Sequence, residues 1–311
     1  MEKSFFLSTD KSPKNIQIKK EIINHFVNNG NDTIAELSKG LDLSVPTVTK
    51  LIGELSDKGL VADFGKIQTA GGRYPNVYGL NPSSVYFIGV DMTRHHLNIA
   101  LMDFKGDIVK YEIGISYMYE NTTDSFDVLC EHIQKFIRET GELKQKIYNI
   151  CLNISGRVNP ESGYSYSSFY FSEEPISNIL SNRLNYKVTV DNDTRSMAYG
   201  EFMKGAVQGE SNVIFVNVSW GLGIGIIIDK KLYYGKSGFS GEFGHFPIFD
   251  NEIICHCGKK GCLETEASGL AIHRMVLERI NKGESSILTQ QVKDFNKFTL
   301  THIVKATNQE D

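Results

Sequence analysis

The chain has 311 residues, 33 Lys and Arg against 37 Asp and Glu, a net charge of −4 and 41% hydrophobic residues. That length suits two domains better than one, with ample apolar material for cores, and the mildly acidic balance excludes a chain that is basic throughout while leaving room for a small nucleic-acid-reading head. The short Phe5-Phe6-Leu7 run is no secretory segment, the apolar stretch from Val213 to Ile228 is too broken to span a bilayer, and five cysteines with three inside 255–262 are no disulfide framework. These features predict a reduced, cytoplasmic protein with no membrane association.

Apolar residues at 16, 18, 22, 23, 26 and 27 have helical spacing, and Asn28-Asn29-Gly30 stops the helix. Asp32 or Thr33 can cap a second helix over Ile34 to Lys39, which Gly40 ends. Ser44 caps a third, with Pro46 inside its start and a predicted buried stripe of Val45, Val48, Leu51, Ile52 and Leu55. Its outward face holds Thr47, Thr49, Lys50 and Glu54. Two helices joined by a tight turn form the helix-turn-helix pattern. Leu60 to Asp63 and Val77 to Leu80 then read as strands of a wing, with a turn at Gly65-Lys66 and a hinge at Gly71-Gly72-Arg73-Tyr74-Pro75. Residues 14–80 hold eight Lys or Arg and seven Asp or Glu, so charge alone leaves a three-helix interaction module open. The wing favours operator DNA as partner. Thr47, Thr49 and Lys50 lie where a recognition helix meets base edges or phosphates, and Arg73 suits a narrow minor groove, unless it is a solvated loop charge.

From Val85 the pattern changes. Strands are expected at Val85 to Asp91, Leu97 to Asp103, Ile108 to Ile115, Ile147 to Ile154 and Val188 to Val190. Further strands fall at Val213 to Val218 and Ile224 to Ile228. Helices are expected at Thr123 to Glu139 and Thr194 to Lys204. Mixed strands and helices with glycine-rich turns indicate an α/β domain. The expected boundaries are residues 1–82 for the winged helix-turn-helix and 83–311 for the larger domain, joined by a linker around Asn81-Pro82.

Gly241-Glu242-Phe243-Gly244-His245 precedes Cys255-His256-Cys257-Gly258-Lys259-Lys260-Gly261-Cys262-Leu263-Glu264. Three thiolates and an imidazole form a tetrahedral set that suits zinc, and Gly258 and Gly261 let the loop fold tightly; three buried free thiols are the plainer alternative. His256, wedged between two cysteines, would be strained as a ligand, whereas His245 can approach freely. Asp191-Asn192-Asp193 sits at a strand end, where α/β domains bind ligands.

These motifs resemble the ROK family of repressors and sugar kinases, whose pattern is G-E-x-G-H followed by C-x-C-G-x-x-G-C-x-E. The resemblance implies an actin-like ATPase (ribonuclease H-like) sugar-kinase fold behind the winged head. It implies a structural zinc on His245, Cys255, Cys257 and Cys262. It also implies a sugar site at Gly156, Asn192, Asp193, Glu242, His245 and Glu264, with Asp193 matching the general base of the kinases. Ser155-Gly156-Arg157-Val158 resembles the family's P-G-P-V loop without its prolines, and Arg157 could meet an acidic group on the ligand.

Kinases carry a D-x-G-G-T loop, whose glycines let backbone N–H groups approach phosphates. Here that stretch reads Asp91-Met92-Thr93-Arg94-His95. The second loop, G-T-G-x-G-x-G, is Ser219-Trp220-Gly221-Leu222-Gly223-Ile224-Gly225. Both departures argue against ATP and leave Asp193 as a vestigial base. The expected function is a sugar- or sugar-phosphate-controlled regulator, most simply a repressor of carbohydrate-utilisation genes, acting as a homodimer or higher homo-oligomer. The alternative is a sugar kinase with an added DNA-binding head. Family regulators run on beyond the point matching Asp311, so the second lobe is expected to lack its C-terminal portion.

Overall fold

The computed structural model describes residues 12–68, 74–291 and 299–309. Helix α1 covers Pro13–Asn29, strand β1 Asp32–Thr33, α2 Ile34–Gly40, α3 Val45–Asp57, β2 Val61–Lys66 and β3 Asn76–Leu80. The caps are those the sequence predicts: Thr33 Oγ1 accepts Glu36 N–H at 3.2 Å, and Ser44 Oγ accepts Thr47 N–H at 3.4 Å. Strands β1, β3 and β2 form a small antiparallel sheet in that order. The predicted turn at Gly65-Lys66 is instead part of β2, which runs to Lys66 with a register shift between Asp63 and Lys66. Arg73 lies outside the described residues.

Two expectations about α3 fail. Val45 is 52% exposed, because it opens the helix before the stripe of Val48, Leu51, Ile52 and Leu55 turns inward. Glu54 is not simply outward: its Oε2 lies 2.6 Å from Nζ of Lys19, which is only 2% exposed. A buried ammonium needs such a partner, so one buried ion pair ties α1 to α3.

The larger α/β region continues with β4 Tyr86–Met92, β5 His96–Met102, β6 Ile108–Ser116, α4 Thr123–Glu139, β7 Ile147–Ile154, β8 Val158–Asn159, β9 Tyr164–Ser165, α5 Ile176–Leu184 and β10 Val188–Asn192. A five-stranded sheet has the order β10-β7-β4-β5-β6, with β4 antiparallel to β5 and parallel to β7. Alternation along β4 and β7 buries Ile88, Val90, Ile150 and Leu152, and Leu129, Ile133 and Phe136 of α4 are buried with them.

The chain divides into two compact units, one of residues 1–154 and 162–190, the other of 155–161 and 191–311. The winged head shares the first unit with the five-stranded sheet. Its apolar core, from Ile18 and Ile22 through Leu55 and Leu80, runs on to Val85, with Phe87, Phe104 and Tyr148 packed against it. The segment expected to be a linker is pinned. Asn81 N–H donates to Leu60 O at 2.9 Å, Asn81 Nδ2 to Gly59 O at 2.9 Å, and Lys146 Nζ to Ser83 O at 2.8 Å.

The second unit contains α6 Asp193–Lys204, β11 Val213–Val218, β12 Leu222–Ile228, β13 Lys231–Leu232, α7 Glu264–Ala267, α8 Gly269–Asn281, α9 Leu288–Gln291 and α10 Leu300–Thr307. Strands β11, β12 and β13 form an antiparallel sheet on which α6 packs. A Cβ at Gly225 would collide with Ala198 of α6, so glycine there permits close helix–strand approach. No described helix is long and apolar enough to cross a membrane.

Candidate functional site

The turn from β10 into α6 builds one wall of a pocket. Asn192 is the helix cap: its Oδ1 accepts Arg195 N–H at 3.0 Å, and its Nδ2 donates to Gly156 O and Asp193 Oδ1, both at 3.0 Å. The amide thus holds the Gly156 loop and the Asp193 carboxylate in place. Asp193 Oδ1 also accepts Thr194 N–H at 2.6 Å. Beneath them lies Arg195, 2% exposed. Its Nε meets Asp191 Oδ1 at 2.8 Å, Nη1 donates to Gly238 O at 2.7 Å and Nη2 to Val158 O at 3.0 Å. One buried guanidinium therefore ties together the strand end, the Gly156–Val158 turn and the approach to Gly241. Sequence reading missed Arg195; its signal was a charge four residues after Asp191 on the same turn.

The opposite wall is the 3-10 turn Glu242–His245. Gly241 enters it at φ +85°, and a Cβ there would strike Ile224 O, so only glycine lets the turn lie against β12. The pocket is lined by Gly156, Asn192, Asp193, Glu242, His245 and Glu264, and by Ser219 to Ile224 of the second glycine-rich loop apart from Trp220. All six predicted sugar-site residues are thus brought together. Ser155, Thr194, Asn217, Ser240 and His256 also line it; Ser155 and His256 fall inside motifs the sequence shows, whereas no pattern marks Thr194, Asn217 or Ser240. Arg157 opens instead onto an adjoining hollow with Glu242, His245 and Lys259.

Burial raises the Glu242 carboxyl above its usual range against the opposing charges of Arg157 and Arg195. Burial also lowers His245, favouring a neutral imidazole. Glu264 is pushed up by burial, but bonds from His256 and the Leu222 N–H outweigh this and hold it below its usual range.

His245 faces two ways. Its Nδ1 lies 3.4 Å from Cys255 Sγ, while Nε2 lies 3.9 Å from Glu242 Oε2. Cys257 and Cys262 bring their sulfurs to 3.6 Å. The ligand atoms of His245, Cys255, Cys257 and Cys262 all lie within 4.8 Å of one another and could hold a metal ion. A tetrahedral ion with bonds of about 2.3 Å to sulfur separates its sulfurs by roughly 3.8 Å, so the set fits. Bridges from Pro247 to Cys262 and from Ile254 to Lys260 shape the loop.

In the winged head, Thr47 is half-buried with its hydroxyl 2.8 Å from Ser44 Oγ. Thr49 is exposed and donates to Val45 O at 2.8 Å, and Lys50 is 67% exposed.

Residues 87–311 match the ROK family, and residues 17–62 match a winged helix-turn-helix DNA-binding family. The chain belongs to the ROK family. A xylose repressor of Caldicellulosiruptor bescii is 31% identical over 250 residues, covering 80% of this ROK chain and 63% of its own length. The DNA-binding transcriptional dual regulator NagC of Escherichia coli is 30% identical over 282 residues, covering 89% and 67%. This ROK chain thus spans about two thirds of the length of these relatives. Among solved structures, a ROK family transcriptional regulator described as a homolog of the E. coli MLC protein superposes with TM-score 0.75 at 26% identity, over 95% of this chain and 74% of its own. A ROK family glucokinase of Streptomyces griseus, in complex with glucose and AMPPNP, gives 0.62 at 27%, over 73% and 72%. The predicted fold, a winged helix-turn-helix followed by a ROK sugar-kinase-like domain, is the one observed.

Proposed function

We propose that this chain is a DNA-binding transcriptional regulator whose operator affinity responds to a sugar or sugar phosphate. The observation that carries this is the presence, in one chain, of a winged head with an outward-facing α3 and of a polar pocket, while the stretches matching the kinase phosphate loops lack the expected Gly-Gly pair and small hydroxyl residue. In the Asp91–His95 stretch the Thr93 hydroxyl accepts the N–H groups of His95 at 3.4 Å and His96 at 3.1 Å. Those donors are therefore already engaged. In the second loop Trp220 stands exposed, edge-on to His273 at 5.4 Å between ring centroids. Gly225 follows from packing on α6 and needs no phosphate to explain it. These features support a sensor without ATP chemistry.

Similarity to xylose and N-acetylglucosamine repressors favours repression of carbohydrate-utilisation genes. The proposed parts are a reading head of residues 1–82, with Thr47, Thr49, Lys50 and Arg73 toward DNA, and a sensing region of 83–311. Homodimers would present two heads to half-sites about one helical turn apart. In the pocket, Asp193, Glu242 and Glu264 would accept hydroxyl protons, His245 would offer Nε2, and Gly156 and Asn192 would shape the floor. Zinc is the proposed ion on His245, Cys255, Cys257 and Cys262, in a structural role that sets the position of Glu242 and His245. A cytoplasmic location accords with free thiols in that set.

The test is a fluorescence-anisotropy titration of DNA selected from a random pool, with and without the sugars and sugar phosphates that stabilise the chain in a thermal-shift screen. The expected outcome is a five- to 150-fold shift in affinity, the usual range of such coupling, about 1–3 kcal/mol. Saturable ATP-dependent phosphorylation of the same sugar would establish the kinase alternative instead.

A further inference from the structure

The metal loop carries a second histidine that the proposed zinc set leaves unused. His256 stands between Cys255 and Cys257, with its side chain 68% exposed. Its Nδ1 lies 2.9 Å from Glu264 Oε1 but 3.9 Å from Cys255 Sγ, so the ring favours the carboxylate over the thiol. The other Glu264 oxygen accepts the Leu222 N–H at 2.9 Å, at the start of β12. The His256 ring also meets that of His245 edge-on, with centroids 4.8 Å apart. Both His256 and Glu264 line the pocket. Glu264 is thus clamped from two sides, with Cys255 Sγ a longer contact, 3.6 Å, to the oxygen that His256 holds at 2.9 Å. One clamp is backbone of a sheet; the other is a side chain flanked on both sides by proposed metal ligands.

We propose that His256 is a positioning residue, which carries the order of the metal loop into the pocket by fixing Glu264 as an acceptor for the hydroxyls of a polyol. A carboxylate left to rotate must be immobilised when it binds, and that lost freedom weakens binding; donors that fix it beforehand remove the loss. The inference rests on reading the pocket as a sugar site. It makes metal and sugar binding mutually reinforcing, through a residue that ligates neither.

The test uses the 311-residue chain as wild type, His256→Ala and His256→Gln, each metal-loaded and chelator-stripped. Calorimetry with d-xylose and with N-acetyl-d-glucosamine is combined with amide exchange at Leu222, whose N–H reports the Glu264 clamp. His256→Ala should keep one metal per chain and weaken sugar binding about tenfold, as expected for loss of a hydrogen bond to a charged group. His256→Gln, whose amide can donate to Glu264, should recover most of that loss. Stripping should speed Leu222 exchange in wild type and add little in His256→Ala, a non-additivity that marks one shared route. Loss of metal from His256→Ala would make His256 a ligand and overturn the proposal. Equal sugar affinity and equal Leu222 exchange in wild type and His256→Ala would also overturn it. If neither sugar binds wild type, the sugar reading fails, and unchanged Leu222 exchange in His256→Ala still overturns the clamp.

Discussion

The first compact unit and the pocket-bearing part of the second are held together by different forces. In the winged head and the adjoining sheet, Ile22, Leu37, Leu51, Leu55, Val90 and Ile150 are essentially inaccessible, and each such side chain contributes roughly 1.5–3 kcal/mol by leaving water. Around the pocket the fixed points are the buried guanidinium of Arg195, the cap of Asn192, the glycines against β12 and the loop that gathers one histidine and three cysteines. Meanwhile β11 leaves Ile214, Val216 and Val218 more than half exposed. An apolar core tolerates imprecision and loses stability in proportion to volume. A polar network is cooperative, and losing one member strands the others.

The sharpest way to break this comparison is Arg195→Ala. It leaves Asp191, Gly238 O and Val158 O short of a donor, and removing one partner of a buried ion pair typically costs about 3–5 kcal/mol. Amide exchange should accelerate at 155–161 and 238–245 while residues of the winged head keep their protection. Leu51→Ala costs a similar amount, about 2–5 kcal/mol, through a cavity, yet should loosen the head and spare the pocket. Identical exchange patterns in the two variants would show that the regions do not differ in the way described.

Metal removal comes next. In the metal-free chain burial pushes the Cys255 thiol up to about 12, so at neutral pH an incoming ion must displace a proton. Metal affinity should therefore rise with pH and fall as pH is lowered, with protons released on loading. Titration of the stripped chain with zinc at two pH values measures this. Zinc uptake without proton release, or fewer than one ion per chain in protein purified without chelator, would show that the cysteines serve as ordinary buried thiols.

The same contrast explains what the sequence made legible. Periodicity and caps predict α1, α2, α3 and most strands to within a few residues, because burial and local hydrogen bonds set those elements. Glycines, cysteines and acids at fixed spacing point to the pocket and the metal loop. Asp191, four residues earlier, is the one local sign of Arg195; its other partners, like those of Lys19 and Glu264, lie far along the chain: Arg195 meets Gly238, Lys19 meets Glu54, and Glu264 meets Leu222. Periodicity marks a charge as an outward residue and cannot name a remote carbonyl that receives it. The hydrogen bonds that hold the expected linker are hidden for a related reason. Asn81-Pro82 has the composition of a connection, but composition does not show that Gly59 and Leu60 wait to receive its hydrogen bonds.

Asp193→Ala separates the regions by function instead of stability. The proposed site gives Asp193 a hydroxyl to accept, while the head lies in the other unit. Operator affinity without effector should stay within a factor of two or so, because Asp193 and its hydrogen-bond partners Asn192 and Thr194 belong to the unit that does not carry the head. The effector-induced shift should vanish. An unchanged shift in an anisotropy titration would place the sugar site elsewhere.

The smallest expected effect is that of Lys50→Ala, and it tests whether the head reads DNA at all. Lys50 Nζ lies 3.8 Å from Glu54 Oε1, but Glu54 already faces the buried ammonium of Lys19 at 2.6 Å. Lys19 is therefore the closer partner of Glu54, and the largely exposed Lys50 is left able to reach a phosphate. One phosphate contact contributes about 0.9 to the slope of log affinity against log salt. Losing it should lower that slope by about one and weaken binding evenly across sequences. Folding stability should barely change, because an exposed pair of this geometry contributes only about 0–1 kcal/mol. A sequence-dependent loss would mean that Lys50 reads a base edge. An unchanged slope and affinity would leave Lys50 off the DNA, and the same result for Thr49→Ala would reduce the head to a protein-interaction module.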